Sequence, residues 1–315
     1  NQKDLEKEIE KCKNRWLSEP QSELNYKTPW EVILEEREKL GNPREDFSIK
    51  VKIAPVISKP EIKADLNSIT SRDTPFVEDV ETFINYFGQN RVKLTLRNKW
   101  IPFKHLKIIE QNFKYKDSFT FLDEEEKRGE EPRKRYIYFI DKICRVEGFV
   151  YVDRKREISV NDLKIKEFNQ KPYGEELFEL FCIWLEKIDW KELVMGDFLK
   201  PYCEMYQGHF DAFLYYLYHL KINKKITPKQ LVDKLYASSM KDIKSQKGLI
   251  EILTIALDAI FLDYLKWLGV IKTQEKELIE GTGIFTIDEF WIPPVGKILI
   301  NRLVEYFIQK GRISK

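Results

Sequence analysis

The chain has 315 residues, 43% of them hydrophobic and 34% charged, with 54 basic against 52 acidic residues and a net charge of +2. That length exceeds one typical domain, and the composition excludes a disordered chain and the strongly basic balance of a protein that coats DNA. The longest apolar run, Leu249–Ile271, is broken by Glu251, Asp258, Asp263 and Lys266, which excludes a membrane span and makes cytoplasm the expected location.

Leu5, Ile9, Cys12 and Trp16 recur at i, i+4, i+7 and i+11, predicting a first helix with one narrow apolar stripe. Thr28-Pro29-Trp30-Glu31 follows: a capping Thr, a first-turn Pro and a Glu placed for a capping box. That helix should stop at Gly41-Asn42-Pro43, with Trp30 as an anchor packed between the two helices. Phe47, Ile49, Val51 and Ile53 alternate with polar residues, predicting one half-buried strand whose partner is a distant segment or another chain. Residues 1–57 are thus expected as an N-terminal helical segment with one extra strand, and 58–73, without periodicity, as a linker.

A first domain is expected over 74–172. After Thr74-Pro75, the residues Phe76, Val80, Phe83, Ile84 and Phe87 share a helix face that ends at Gly88. Arg91–Leu96 is a short strand candidate, and Pro102–Phe113 a helix with Phe103, Leu106, Ile109 and Phe113 inward. Lys114–Pro132 reads as a loop carrying the acidic run Asp123–Glu126. A further helix should run to about Glu147 and stop at Gly148, followed by strand Phe149–Val152, the charged turn Asp153–Arg156, strand Glu157–Val160 and another helix.

The second domain, 173–315, opens with an apolar helix over Glu175–Trp190. Phe210–Leu220 is apolar almost all round and should be buried, Lys225-Ile226 is a minimal strand, and Thr227-Pro228-Lys229-Gln230 is a capping box that opens Lys229–Tyr236. A long helix Leu249–Gly269 then precedes strand Val270–Lys272, a longer turn, strand Phe290–Ile292 and a closing helix Val295–Gln309.

The small-residue stop and apolar entry of each hairpin, Gly148-Phe149-Val150 and Gly269-Val270-Ile271, and Thr227-Pro228 opening a short helix, resemble the winged-helix superfamily over about Thr74–Lys310. The resemblance implies a mainly α (α+β) chain of tandem winged-helix-like units with small β-hairpins. Leu24–Glu31 and the closing hairpin also resemble uncharacterised bacterial plasmid-type open-reading-frame proteins, a likeness that brings no activity or catalytic residue with it. An acidic insertion and a second long helix with little basic charge depart from simple winged-helix regulators.

On the helix Arg135–Val146, Tyr136, Phe139, Ile140 and Ile143 cluster on one side and Arg135, Tyr138, Lys142 and Arg145 on the other. In a winged helix that second face would enter a major groove, with Arg154, Lys155 and Arg156 of the turn against backbone phosphate. Residues 133–171 hold 11 basic and 6 acidic side chains, whereas 117–131 hold 2 basic and 7 acidic, so the acidic loop could mask the basic stripe. The long helix of the second unit lacks basic charge and is expected to build core or a dimer interface.

Signals for enzyme chemistry are thin. The cysteines Cys12, Cys144, Cys182 and Cys203 show no metal-ligand spacing and read as reduced, partly buried thiols. Only His105, His209 and His219 offer imidazoles, and His209 and His219 lie ten residues apart, off a common helix face. Glu204, His209 and Asp211 match no ligand pattern, and Gly281-Thr282-Gly283 lacks the context of a phosphate loop. The expectation is a non-enzymatic protein without cofactor or metal, with double-stranded DNA as the partner of its first unit through Arg135, Tyr138, Lys142, Arg145, Arg154, Lys155 and Arg156. The alternative is a structural protein whose winged units pack against a protein partner or, through the second unit, a second copy.

Overall fold

The computed structural model describes residues 64–96, 98–116, 135–194, 198–236, 248–277 and 285–312, all within the compact unit Val51–Lys315. The expectations for residues 1–57, for Asp123–Glu126 and for Gly281-Thr282-Gly283 lie outside the described residues.

The described chain is mainly helical, with two two-stranded antiparallel hairpins. Its first half runs α1 (Phe76–Gln89), α2 (Phe103–Asn112), α3 (Arg135–Glu147), β1 (Val150–Val152), β2 (Ile158–Val160) and α4 (Asp162–Phe168). Then come α5 (Tyr173–Glu186), a 3-10 turn at Trp190–Leu193 and α6 (Lys200–Gly208). The second half runs α7 (Phe210–His219), α8 (Pro228–Leu235), a rod made of α9 (Leu249–Leu257), a π turn (Asp258–Leu262) and α10 (Asp263–Trp267), then β3 (Lys272–Glu277), β4 (Phe285–Trp291) and α11 (Pro294–Gln309).

The two halves repeat one order: helix, isolated bridge, helix, helix, hairpin, helix. In each, the bridge lies at the second hairpin strand, just before β2 in the first half and within β4 in the second. Lys93 pairs with Glu157 and Ile226 with Phe290. Both rods also stop in the same way. Gly148 at φ +80° and Gly269 at φ +72° adopt the left-handed conformation that glycine tolerates best. The next amide reaches back five residues, Phe149 to the Cys144 carbonyl and Val270 to that of Leu265, each at 2.9 Å. The glycine at 269 has a second cause, since a Cβ there would sit 2.7 Å from Cβ of Thr74.

One aromatic core serves both halves. Phe139 of α3 lies 4.8 Å from Tyr264 and 5.8 Å from Trp267 of α10, ring centre to ring centre. Trp184 of α5 stacks on Trp190 at 4.8 Å and meets Phe261 of the π turn at 6.1 Å. Such rings bury large areas, and offset or edge-on pairs add to burial. The described part of the stretch expected as a linker joins this packing. It forms a 3-10 turn at Leu66–Ser68, Leu66 and Ile69 are buried, and the turn lies against α5 and α11.

Several expected elements differ in extent. The rod is not one continuous α-helix, because the amide of Asp263 bonds to the Asp258 carbonyl and widens one turn. That diversion leaves the Ala259 carbonyl for the Arg135 guanidinium. The second hairpin is longer than hydrophobic alternation suggests, since β3 is a polar run held through its backbone, with an irregularity between Gln274 and Glu275. The helix expected over Glu175–Trp190 ends at Glu186, and Trp190 opens a 3-10 turn instead. The capping box at Thr227 forms as expected, with Thr227 N–H donating to Gln230 and Gln230 N–H to Thr227. No helix among the described residues is long and apolar enough to cross a membrane.

Candidate nucleic-acid interface

The apolar stripe of α3 turns Tyr136, Phe139, Ile140 and Ile143 into the core, which sends the residues between them outward as the periodicity requires. Outward does not mean solvent-exposed: Arg135, Tyr138, Lys142 and Arg145 are all half-buried, because α5 and the Trp190–Leu193 turn pack beside them.

Each of the three cations on α3 meets a carboxylate. Arg135 donates to Asp263 at 2.7 Å and to the Ala259 carbonyl, with its guanidinium over the Tyr264 and Trp267 rings at 5.9 and 5.6 Å. Burial works against that charge, but Asp263 and Tyr264 outweigh it and hold the guanidinium above the usual range. Lys142 donates to Glu192 at 2.6 Å. Burial likewise opposes its charge, and Glu192 and Tyr138 more than offset it. Arg145 Nε donates to Asp141, four residues earlier and almost fully buried.

The hairpin presents a different environment. Its turn is built by Asp153, whose carboxylate accepts from the amides of Lys155 and Glu157, both at 2.8 Å. Arg156 closes the turn at φ +66° and is half-buried. Arg154 and Lys155 are exposed at the tip. Beside β2 runs the edge segment 91–94, held by Leu94 N–H to the Arg156 carbonyl at 2.9 Å and Ile158 N–H to the Val92 carbonyl at 3.0 Å. Its alternation buries Val92 and Leu94 and exposes Arg91 and Lys93. Arg91, Lys93, Arg154 and Lys155 have no ion-pair partner among the described residues. Long-range pairing thus brings two basic runs, about sixty residues apart in sequence, onto one edge.

Arg91 and Lys93 join this candidate surface without having been expected on it, although the alternation of Arg91-Val92-Lys93-Leu94 carries the signal. Of the residues considered for catalysis, Glu204 pairs with Lys191 and Asp211 with Arg312. His105 bonds to the Tyr86 hydroxyl and His219 to the Tyr215 carbonyl. Cys144, Cys182 and Cys203 are free thiols, and burial raises all three. Among the described residues, no group of three or more His, Cys, Asp or Glu is placed to hold a metal ion.

No family model, curated protein or solved structure matches this chain.

Proposed function

We propose that the two halves are winged-helix-like units and that the first binds nucleic acid, duplex DNA foremost, by laying its hairpin and edge segment along the phosphate backbone. The observation that carries this reading is the contrast in charge pairing. Among the described residues, Arg91, Lys93, Arg154 and Lys155 stand exposed without acidic partners, whereas Arg135, Lys142 and Arg145 of α3 are each tied to a carboxylate. In this version the hairpin supplies affinity, and α3 positions the hairpin rather than reading bases. Phosphate contacts fix register without carrying sequence information, so binding is expected to depend weakly on sequence and steeply on salt. The role is non-enzymatic.

A fluorescence-anisotropy titration of the full chain against a labelled duplex tests the proposal. Three to five neutralised phosphates should weaken binding by about 40- to 500-fold between roughly 50 and 200 mM salt. Absence of binding at the lower salt would remove the reading.

A second reading, that the units are packing or dimerisation modules, is favoured by the shared aromatic core, in which Phe139 of α3 packs against Tyr264 and Trp267 of α10. It expects self-association or a co-purifying protein, visible by sedimentation, and no duplex binding.

A further inference from the structure

The edge segment 91–94 continues past the sheet. Its pairing with the hairpin is antiparallel, Lys93 to Glu157, so the chain leaving Leu94 runs on beside the tip that carries Arg154 and Lys155. There it turns in a loop, 95–100, closed by hydrogen bonds of Thr95. Thr95 N–H donates to the Trp100 carbonyl and Trp100 N–H to the Thr95 hydroxyl, both at 2.9 Å, and Lys99 N–H donates to the Thr95 carbonyl at 3.2 Å. Lys99 holds φ +55°, a left-handed value uncommon for a lysine.

Leu96 in this loop is 82% exposed, more than any other large hydrophobic residue described. A single exposed leucine is ordinary on a protein surface, but two features set this one apart. The closed loop holds it out in one place. The second feature is charge. No acidic residue occurs between Glu81 and Glu110, a stretch that holds Arg91, Lys93, Arg97, Lys99, Lys104 and Lys107. Lys93 and Lys99, three residues to either side of Leu96, are exposed and have no ion-pair partner among the described residues. The next most exposed hydrophobic residues differ. Leu163 follows Asp162 at the opposite end of the hairpin, and the Phe198 ring lies 5.9 Å from that of Tyr202.

We infer that Leu96 is a wedge that enters the minor groove of the bound duplex between two base pairs, with Lys93 and Lys99 on the flanking phosphates, so that the first unit selects duplexes with an easily opened base step. The inference rests on the duplex-binding reading and names the class of duplex it takes. An apolar side chain pushed between base pairs unstacks them and bends the duplex. The cost is least where the step is already weak, at a pyrimidine–purine step or a mismatch. Phosphate contacts alone make no such distinction. A protein partner or a lipid surface fits less well, because one leucine offers too little apolar area to anchor either, whereas wedges in the minor groove act as single side chains.

Energy transfer tests it on the full chain, with duplexes of about 20 base pairs that carry a donor dye at one end and an acceptor at the other. The wild type is expected to raise the transfer on binding, as a bend of about 20–90° brings the ends together. It should also bind a duplex with a central T·T mismatch at least about ten-fold more tightly than the matched one. Leu96→Ala should lose both the bend and the mismatch preference and keep the salt dependence of binding. Leu163→Ala, equally a change at an exposed leucine, should keep all three. Binding without a bend, or a bend and preference unchanged in Leu96→Ala, would overturn the wedge and leave the duplex reading standing. Absence of duplex binding at low salt removes both. Binding to phosphatidylserine vesicles that Leu96→Ala abolishes would overturn the wedge in favour of a membrane surface.

Discussion

Replacing Arg135 by methionine removes a charge that serves two parts of the fold at once. The stem can still pack, but the 2.7 Å bond to Asp263, the bond to the Ala259 carbonyl and the position over Tyr264 and Trp267 are lost. Breaking a fully buried ion pair from one side costs about 3–5 kcal/mol. Two features reduce that cost here: the Arg135 side chain is 28% exposed, and Asp263 keeps Lys266 at 3.3 Å. We therefore expect Arg135→Met to lose about 2–3 kcal/mol, a fall of about 5–10 °C in the melting midpoint for a domain of this size. Denaturant titration and thermal melting would both report it, and a cycle with Asp263→Asn should show that the two losses are not additive. A loss below about 0.5 kcal/mol would refute the reasoning. So would a drop in nucleic-acid affinity as large as that of Arg154→Ala/Lys155→Ala, because Arg135 would then be a reader and not a brace.

Asp79 is fully buried and accepts from the amides of Lys114 and Tyr115 and from the Tyr136 hydroxyl, so Asp79→Ala strands three donors and should cost about 3–5 kcal/mol in denaturant titration. A Cβ on Gly174 would fall 2.0 Å from the Leu66 carbonyl oxygen, so Gly174→Ala should push the Leu66–Ser68 turn off α5, at about 3 kcal/mol, with faster proteolysis near residue 66. Burial, reinforced by Asp263, pushes the Asp258 carboxyl up to about 6, although Thr286 and Ile287 N–H donate to it. A folded value above the ordinary 3.8 means the native state favours the proton. This contribution is therefore fully present below the ordinary value and is lost as pH rises through about 6. Stability should fall by about 1–2 kcal/mol from pH 5 to 7.5 on this account, and Asp258→Asn should flatten that change in pH-dependent melts.

Local signals were readable where one segment contains its own reason. Gly148 and Gly269 mark the ends of rods because left-handed backbone follows directly from a glycine after an apolar stripe. Thr227 and Gln230 stand three apart, so their capping box needs no distant partner. The π turn had no such signal, and its polar contacts are with Arg135, Thr286 and Ile287, all far away in the chain. Helix α6 was not anticipated either. Its Lys200–Gly208 segment buries only Cys203 and Tyr206, too few positions to set a period. The candidate site divides in the same way. Arg154 and Lys155 sit in a turn that composition alone marks. The neutralisation of Arg135 and Lys142 by Asp263 and Glu192 is set by tertiary packing and leaves no trace in spacing. Arg145 and Asp141 are the exception, because an i, i+4 pair of opposite charge on a helix can be read directly.

Which cations meet phosphate in the proposed duplex complex is tested most directly by the salt dependence of binding in three proteins. The wild type, Arg154→Ala/Lys155→Ala and Arg145→Ala would be titrated over a series of salt concentrations, and the slope of log affinity against log salt compared. Removing the two hairpin cations should reduce the slope by about 1.8, since each lost phosphate contact is worth about 0.9. Removing Arg145, held by Asp141, should leave the slope as it is. An unchanged slope in the hairpin variant with a reduced one in Arg145→Ala would place the contact on α3 and contradict the account.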